Sequence, residues 1–276
     1  MNQPWANSEP LSSSETFEEV HQGLTVRLVM TRRDNFEMCD ADDPVSTVAA
    51  KNTNRYDFIP VMSASAKGER IIGLFYAAPY FKTPPPKGCI KDHLVPLDEE
   101  NLIGADASIL AFILEADTKP CRLVLSGGGI CGLVTLSDLQ KLPVRAALFA
   151  LITGFEITMA EAIRNRHPTD ETWMELLSEE RLTETRKKID ASKKSESFVD
   201  ALLFTEFADK KTIIKKSIAL SISKNQLEVR LTEIQKFRDM VAHANEYAPS
   251  PEEAKMVCAT VRDLIDLRKL IAETPG

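Results

Sequence analysis

The chain has 276 residues, a formal net charge of −7, 43% hydrophobic and 27% charged residues, the composition of a soluble globular protein with room for two domains that each bury a core. Its longest apolar run, Ala146 to Ile152, is far below a bilayer span and its polar, acidic N-terminus lacks a signal-peptide pattern, so a cytoplasmic, non-membrane protein is expected. The five cysteines are scattered with no C-x2-C spacing, which points away from a disulfide framework and from a zinc or other metal site.

The charge is uneven. Residues 160 to 276 hold 20 Lys+Arg against 21 Asp+Glu, leaving 14 against 20 for residues 1 to 159. The net charge of −7 argues against a general nucleic-acid-binding surface, and the acidity lies in the N-terminal half. In the second half Lys210, Lys211, Lys215 and Lys216 cluster over two helical turns, either to follow a phosphate backbone or as a solvated helix face.

In chain order, residues 1 to 20 are polar and aperiodic and are expected to be a disordered arm. A repeat follows, in a domain assigned to residues 21 to 142. Asp43 opens a helix, Phe58 to Met62 is a buried strand, and Arg70 to Phe75 is its hairpin partner. In the second copy Asp106 opens a helix, Cys121 to Leu125 is the strand, and Ile130 to Thr135 is its partner. The offset is 63 residues from Asp43 to Asp106 and from Met62 to Leu125, then 59 from Gly73 to Gly132, which predicts a first hairpin loop four residues longer. Gly127-Gly128-Gly129 joins two strands and reads as a hairpin turn rather than a phosphate cradle. Thr83-Pro84-Pro85-Pro86-Lys87-Gly88 is a stiff surface loop between the copies.

The motif Gly132-Leu133-Val134-Thr135-Leu136-Ser137-Asp138 ends the second copy. With the tandem α/β pattern it resembles a pair of CBS modules, small β-α-β-β-α units that dock as pseudo-symmetric pairs. The resemblance implies that Thr135, Ser137 and Asp138 bind an adenosine nucleotide such as AMP, ADP or ATP: the carboxylate accepts from ribose hydroxyls, and hydroxyls and amides meet phosphate. Helix capping is the other reading of these residues, because Ser137 and Gln140 have capping-box spacing. In the first copy Tyr76 and Pro79 stand at the corresponding places, so that half-site is degenerate.

From Pro143 the pattern turns helical, and residues 143 to 276 form a second domain. Ala147, Leu148, Leu151, Ile152, Phe155 and Met159 mark the first helix, and four more are expected at about 170–193, 198–216, 222–243 and 251–273. Ser250-Pro251-Glu252-Glu253 is a strong start signal for the last. The fold class is therefore α+β, a duplicated α/β pair followed by an all-α bundle.

Within the fourth of these helices lies Arg238-Asp239-Met240-Val241-Ala242-His243, an R-x4-H element holding one of only four histidines. Imidazole titrates near neutral pH and can pass a proton, and guanidinium keeps its charge and forks onto phosphate oxygens, so the pair suits phosphodiester cleavage. Five residues place Arg238 and His243 about 140° apart on a regular helix. A working pair needs the helix to end near His243 or a second copy to supply the missing group. Leu227, Leu231, Ile234 and Val241 recur on the neighbouring face as packing.

The R-x4-H element and the helical region around it resemble the HEPN family. That resemblance implies a homodimer with a composite site and an endoribonuclease needing no metal or other catalytic cofactor, with RNA as substrate. The 2'-OH would attack the adjacent phosphorus, leaving a 2',3'-cyclic phosphate. His243 would be general base or acid, Arg238 would hold the scissile phosphate, and Asp239 would orient the imidazole. Glu156 is either a supporting acid or a solvent-facing charge. The rival reading is a non-catalytic regulatory or partner-binding protein, with a nucleotide sensor and a helical dimerisation domain.

Overall fold

A computed structural model describes residues 14–65, 68–194, 200–243 and 246–274. The described residues divide into two compact units, one within 25–138 and a helical one that joins 14–24 to those from 139 onward.

The helical unit starts with α1 (Ser14–Gly23), whose neighbour in space is the long helix α4 (Leu142–Arg166). The disordered arm expected for residues 1 to 20 therefore gives way to helix from Ser14; residues 1–13 lie outside the described residues. His21 of this helix is buried, unlike a residue of a free arm.

The α/β unit contains β1 (Thr31–Arg32), β2 (Cys39–Asp40), α2 (Val45–Lys51), β3 (Phe58–Ser65), β4 (Gly68–Tyr76), β5 (Leu94–Pro96), β6 (Leu102–Gly104), α3 (Ile109–Glu115), β7 (Cys121–Ser126) and β8 (Gly129–Thr135). They make two four-stranded sheets, in the orders β1-β8-β7-β6 and β2-β3-β4-β5. Each hairpin carries a bulge, between Val61 and Met62 and again between Val124 and Leu125, at the 63-residue offset seen in the sequence. The extra four residues of the first copy do not lengthen its loop as expected. Its strands have 8 and 9 residues against 6 and 7, with Ser65 still paired to Gly68. Gly127 and Gly128 have φ of 59° and 80°, the pair of positive values a tight two-residue hairpin turn requires.

The repeat begins earlier than periodicity indicated. Val26 N–H donates to Ala107 O at 2.8 Å and Ile90 N–H to Asp43 O at 3.0 Å; Arg27 N–H donates to Ala105 O and Lys91 N–H to Ala41 O, both at 2.9 Å. Each bond maps onto its mate by a shift of 64 residues (26 to 90, 43 to 107). The leading strands are exchanged by the same symmetry: β1 pairs with β8 of the second copy, and β5, which leads the second copy, pairs with β4 of the first. Gly73 and Gly132 mark these crossings. A Cβ on Gly73 would stand 2.3 Å from Val95 O, and one on Gly132 would stand 2.8 Å from Thr31 O. Ile71, Leu74, Cys121, Leu123 and Leu133 form one apolar cluster shared by the two hairpins.

In the helical unit α4 is followed by α5 (Asp170–Met174), α6 (Glu179–Lys194), α7 (Phe207–Ser217), α8 (Lys224–Ala242) and α9 (Pro251–Ala272). Leu148, Leu151, Phe155 and Met159 of α4 are fully buried, because α1, α7, α8 and α9 all pack around that helix. By length and composition α4 could cross a membrane, but more than half of its most apolar stretch is buried within this chain. The helix expected at 170–193 is broken: Trp173, Met174 and Leu177 turn inward, and Ser178 Oγ accepts from Arg181 N–H at the start of α6. The helix expected at 198–216 starts at Phe207, after a 3-10 turn at Ala201–Phe204; residues 195–199 lie outside the described residues. Arg181 ties α6 to α7 with a two-pronged grip on the buried Asp209, at 3.0 and 2.6 Å. α8 and α9 start as their sequences predict: Ser223 and Gln226 form a capping box, and Ser250 Oγ accepts from Glu253 N–H beside Pro251.

Candidate functional site

α8 is held to the core by Leu227, Leu231, Ile234, Phe237 and Val241, all buried. That packing turns Arg238, next to the buried stripe, toward α4, and leaves it half-buried. Its Nε lies 3.4 Å from Glu156 Oε1, and its Nη1 lies 3.1 Å from Asp239 Oδ1. Glu156 is therefore no free solvent-facing charge. Its other oxygen is 3.7 Å from Nζ of Lys210, a buried lysine that also donates to Thr205 O at 2.9 Å. Burial pushes the Lys210 pKa down, and Glu156 and Asp209 oppose the shift. Burial also works against the Arg238 charge, but the bond to Asp239 and the charge of Glu156 outweigh it and raise that pKa.

His243 is the C-cap of α8, exposed, with φ −93° and ψ 15°. Its backbone N–H still donates to Asp239 O at 3.1 Å, so its Cα keeps the helical position and the side chain stays about 140° around the axis from Arg238. The end of the helix does not bring the two groups together. Asp239 does not orient the imidazole as expected either, since its carboxylate faces Arg238.

Sequence reasoning missed what fixes the stretch around His243. Arg145 of α4 donates from Nη1 to Met240 O at 3.3 Å and Val241 O at 2.8 Å, and its guanidinium lies 4.8 Å from the Tyr247 ring centroid. Tyr247 donates to Leu139 O at 2.5 Å, and Gln140 donates to Ala248 O. Burial pushes the Tyr247 hydroxyl up to about 12, against the pull of Arg145. Residues 139–145 thus pin both flanks of His243. Arg145 and Val241 are 96 positions apart, so no local signal announces the contact.

The lysine cluster is not a free phosphate track. Lys210 is buried, Lys211 and Lys215 pair with Glu228, and Lys216 donates to Leu176 O at 2.7 Å.

In the α/β unit Thr135 closes β8 and Asp138 is buried behind it. Asp138 Oδ2 accepts from Thr135 N–H at 2.6 Å and from Thr135 Oγ1 at 3.3 Å, and Thr135 and Ser137 hydroxyls share a bond of 2.8 Å. The capping interaction thus joins Thr135 and Asp138. The expected partners Ser137 and Gln140 do not form it, because Gln140 turns to Ala248. Ser137 is exposed, so a hydroxyl remains available at the surface. Burial, helped by the charges of Asp138 and Asp57, pushes the nearby Cys121 thiol up to about 12. In the first copy Tyr76 stacks on Phe58 at 4.9 Å and Pro79 sits inside a 3-10 turn, so no carboxylate stands at the place of Asp138. A cavity of about 200 Å³ opens in the first copy, with Met38, Val48 and Ile59 as apolar wall and Glu37, Asp43 and Lys51 as charged rim; Thr135 and Asp138 do not line it.

No family model matches the chain, and no curated protein does. Among solved structures, the CBS domain of a bacterial CNNM/CorC family Mg2+ transporter in complex with ATP is 21% identical over 45% of this chain and 92% of that one, at a TM-score of 0.36. A hemolysin-like protein containing a CBS domain from Oenococcus oeni PSU is 18% identical over 45% and 94%, at 0.35. CBSX2 in complex with AMP is 19% identical over 45% and 96%, at 0.33.

Proposed function

We propose that the chain is a ligand-regulated, metal-independent endoribonuclease of the cytoplasm, with an adenosine-nucleotide sensor in its α/β unit and an RNA-cutting site in its helical unit. The observation that carries the reading is Arg238: a half-buried guanidinium held by Glu156, five residues before an exposed histidine at a helix end. Arg238 supplies fixed charge for the scissile phosphate, and His243 moves the proton of the attacking 2'-OH or of the leaving 5'-oxygen.

Because the two groups diverge within one chain, the working site is composite and takes His243 or Arg238 from a second copy. What supports this is the α4 face bearing Leu142, Ala146, Phe149 and Thr153, all exposed and spaced to lie on one side of the helix that carries Glu156; Leu142 and Phe149 are 76% and 56% exposed. A second copy laid on that face would sit beside Arg238.

The test is cleavage of single-stranded RNA by the full-length protein in EDTA, with light scattering for the dimer. Cutting should leave 2',3'-cyclic phosphate ends. It should fall by about 10²- to 10⁴-fold in His243→Ala, and Arg238→Lys should lie between wild type and Arg238→Ala. Activity that survives His243→Ala, or that needs magnesium, would sink the mechanism.

A second reading is favoured by the same ion pairs. With two of its nitrogens on carboxylates, Arg238 also suits a purely structural role, and the chain would then be a nucleotide-sensing regulatory subunit. Binding of AMP or ATP without RNA cleavage under any condition selects it.

A further inference from the structure

A guanidinium has two edges on which it can fork onto a phosphate, Nε with Nη2 and Nη1 with Nη2. In Arg238 each edge has one donor engaged: Nε faces Glu156 and Nη1 faces Asp239, and Nη2 has no partner among the described residues. Neither fork can receive a phosphodiester until one carboxylate withdraws. The two carboxylates are unequally held. Glu156 is 22% exposed and pairs on its far side with the buried Lys210, at 3.7 Å. Asp239 is 51% exposed, and among the described residues its carboxylate contacts Arg238 alone.

An exposed pair between adjacent residues is weak and screened, and a pair backed by a buried cation is not. Asp239 is therefore the group that gives way. We propose that Asp239 is a gate on Arg238: it closes the Nη1/Nη2 edge in the free protein, a phosphodiester of single-stranded RNA displaces it, and Lys210 with Glu156 keeps the Nε edge fixed as the guanidinium is used. This rests on the reading of Arg238 as a phosphate-binding residue, and it replaces imidazole orientation as the role of Asp239. The gate explains how an acidic chain, whose lysine cluster on α7 is engaged within the fold, takes up RNA selectively, because only a ligand that docks well enough to displace the carboxylate reaches the fork.

The experiment measures binding of a 2'-O-methyl oligoribonucleotide, which cannot be cut by 2'-OH attack, to the full-length protein. Asp239→Asn should bind about five- to tenfold tighter than wild type. Glu233→Gln removes an equal charge from exposed α8 surface, where Glu233 pairs with Lys236, and should change binding by less than about twofold. In an Arg238→Ala background Asp239→Asn should give no gain. Equal gains from Glu233→Gln and Asp239→Asn, a gain that persists without Arg238, or no binding by any variant would each overturn the gate. Tighter binding by Asp239→Asn with no cleavage of ordinary RNA by wild type would remove the nuclease and leave the gate standing.

Discussion

The guanidinium of Arg145 donates to the carbonyl oxygen of Val241 at 2.8 Å, so the last turn of α8 is closed by a side chain from α4. Late carbonyls of a helix have no partner within it, and a cation placed on them satisfies both the lone pairs and the negative end of the helix dipole. Arg145→Met should therefore lower stability by about 1–3 kcal/mol in urea titration. Amide exchange should quicken at Val241 to His243 before it does in the middle of α8. Unchanged exchange at those amides would mean that the helix end holds itself.

The grip of Arg181 on Asp209 joins two helices through a carboxylate that is only 5% exposed. Burial alone would raise the Asp209 pKa, but the Arg181 bonds outweigh it and hold it below the usual range. A depressed carboxylate contributes stability that is full above its unfolded pKa, about 4, and is lost as pH falls through the folded value. Arg181→Met should cost about 3–5 kcal/mol by taking the guanidinium from that buried charge, and Arg181→Met/Asp209→Leu should recover most of it. A double variant as unstable as the single would refute this account.

His21 behaves in the opposite region of charge. Burial, with the Arg268 charge added, lowers its pKa from 6.5 to about 4, so the fold contains neutral imidazole. Above 6.5 both states are neutral and stability is complete. Between 6.5 and about 4 the unfolded chain takes up a proton that the folded chain refuses, and stability falls. Thermal melts from pH 7.5 to 4.5 should show a loss on the order of 2 kcal/mol that His21→Leu abolishes. A loss of equal slope in His21→Leu would assign it to other groups.

Gly73 and Gly132 should be the least replaceable residues of the α/β unit. An alanine methyl at Gly73 meets backbone oxygen at 2.3 Å, which no side-chain rotation relieves. Gly73→Ala should cost about 3 kcal/mol or more, and Gly132→Ala about 1–3 kcal/mol, with β5 or β1 detaching first. Gly129 meets nothing within 4 Å, and Gly129→Ala should be near neutral by the same melt.

Asp138 can be tested without disturbing the cap. Asp138→Asn keeps an oxygen for Thr135 N–H but loses the charge, so the protein should melt normally and bind AMP or ATP about tenfold more weakly by calorimetry. Unaltered affinity would leave Asp138 with its cap role alone.

Much of the architecture was legible because it rests on local chemistry. Ser223 with Gln226 and Ser250 with Pro251 announce helix starts, and the offset from Met62 to Leu125 survives as a repeated bulge. The exchanged strands were not legible, since β1 and β5 are two and three residues long and carry no alternation to read. At the candidate site the sequence supplied Arg238 and His243 but not their surroundings. Lys210 looked like one lysine among four, and only the packing of α7 on α4 turns it inward. Asp239 was placed beside His243 by helical spacing, but the adjacent guanidinium competes for the same carboxylate and takes it.

The exchange of leading strands also sets an order in time. The sheet β2-β3-β4-β5 draws on one continuous stretch, residues 39 to 96, and can close as soon as that stretch has left the ribosome. Its twin cannot. Thr31 pairs with Leu133, 102 residues later, so β1 is made before any other strand and is among the last to find its partner. Two halves that are equivalent in space are therefore unequal in synthesis: the first has a head start, and segment 25–32, like α1 before it, waits exposed for a partner made much later.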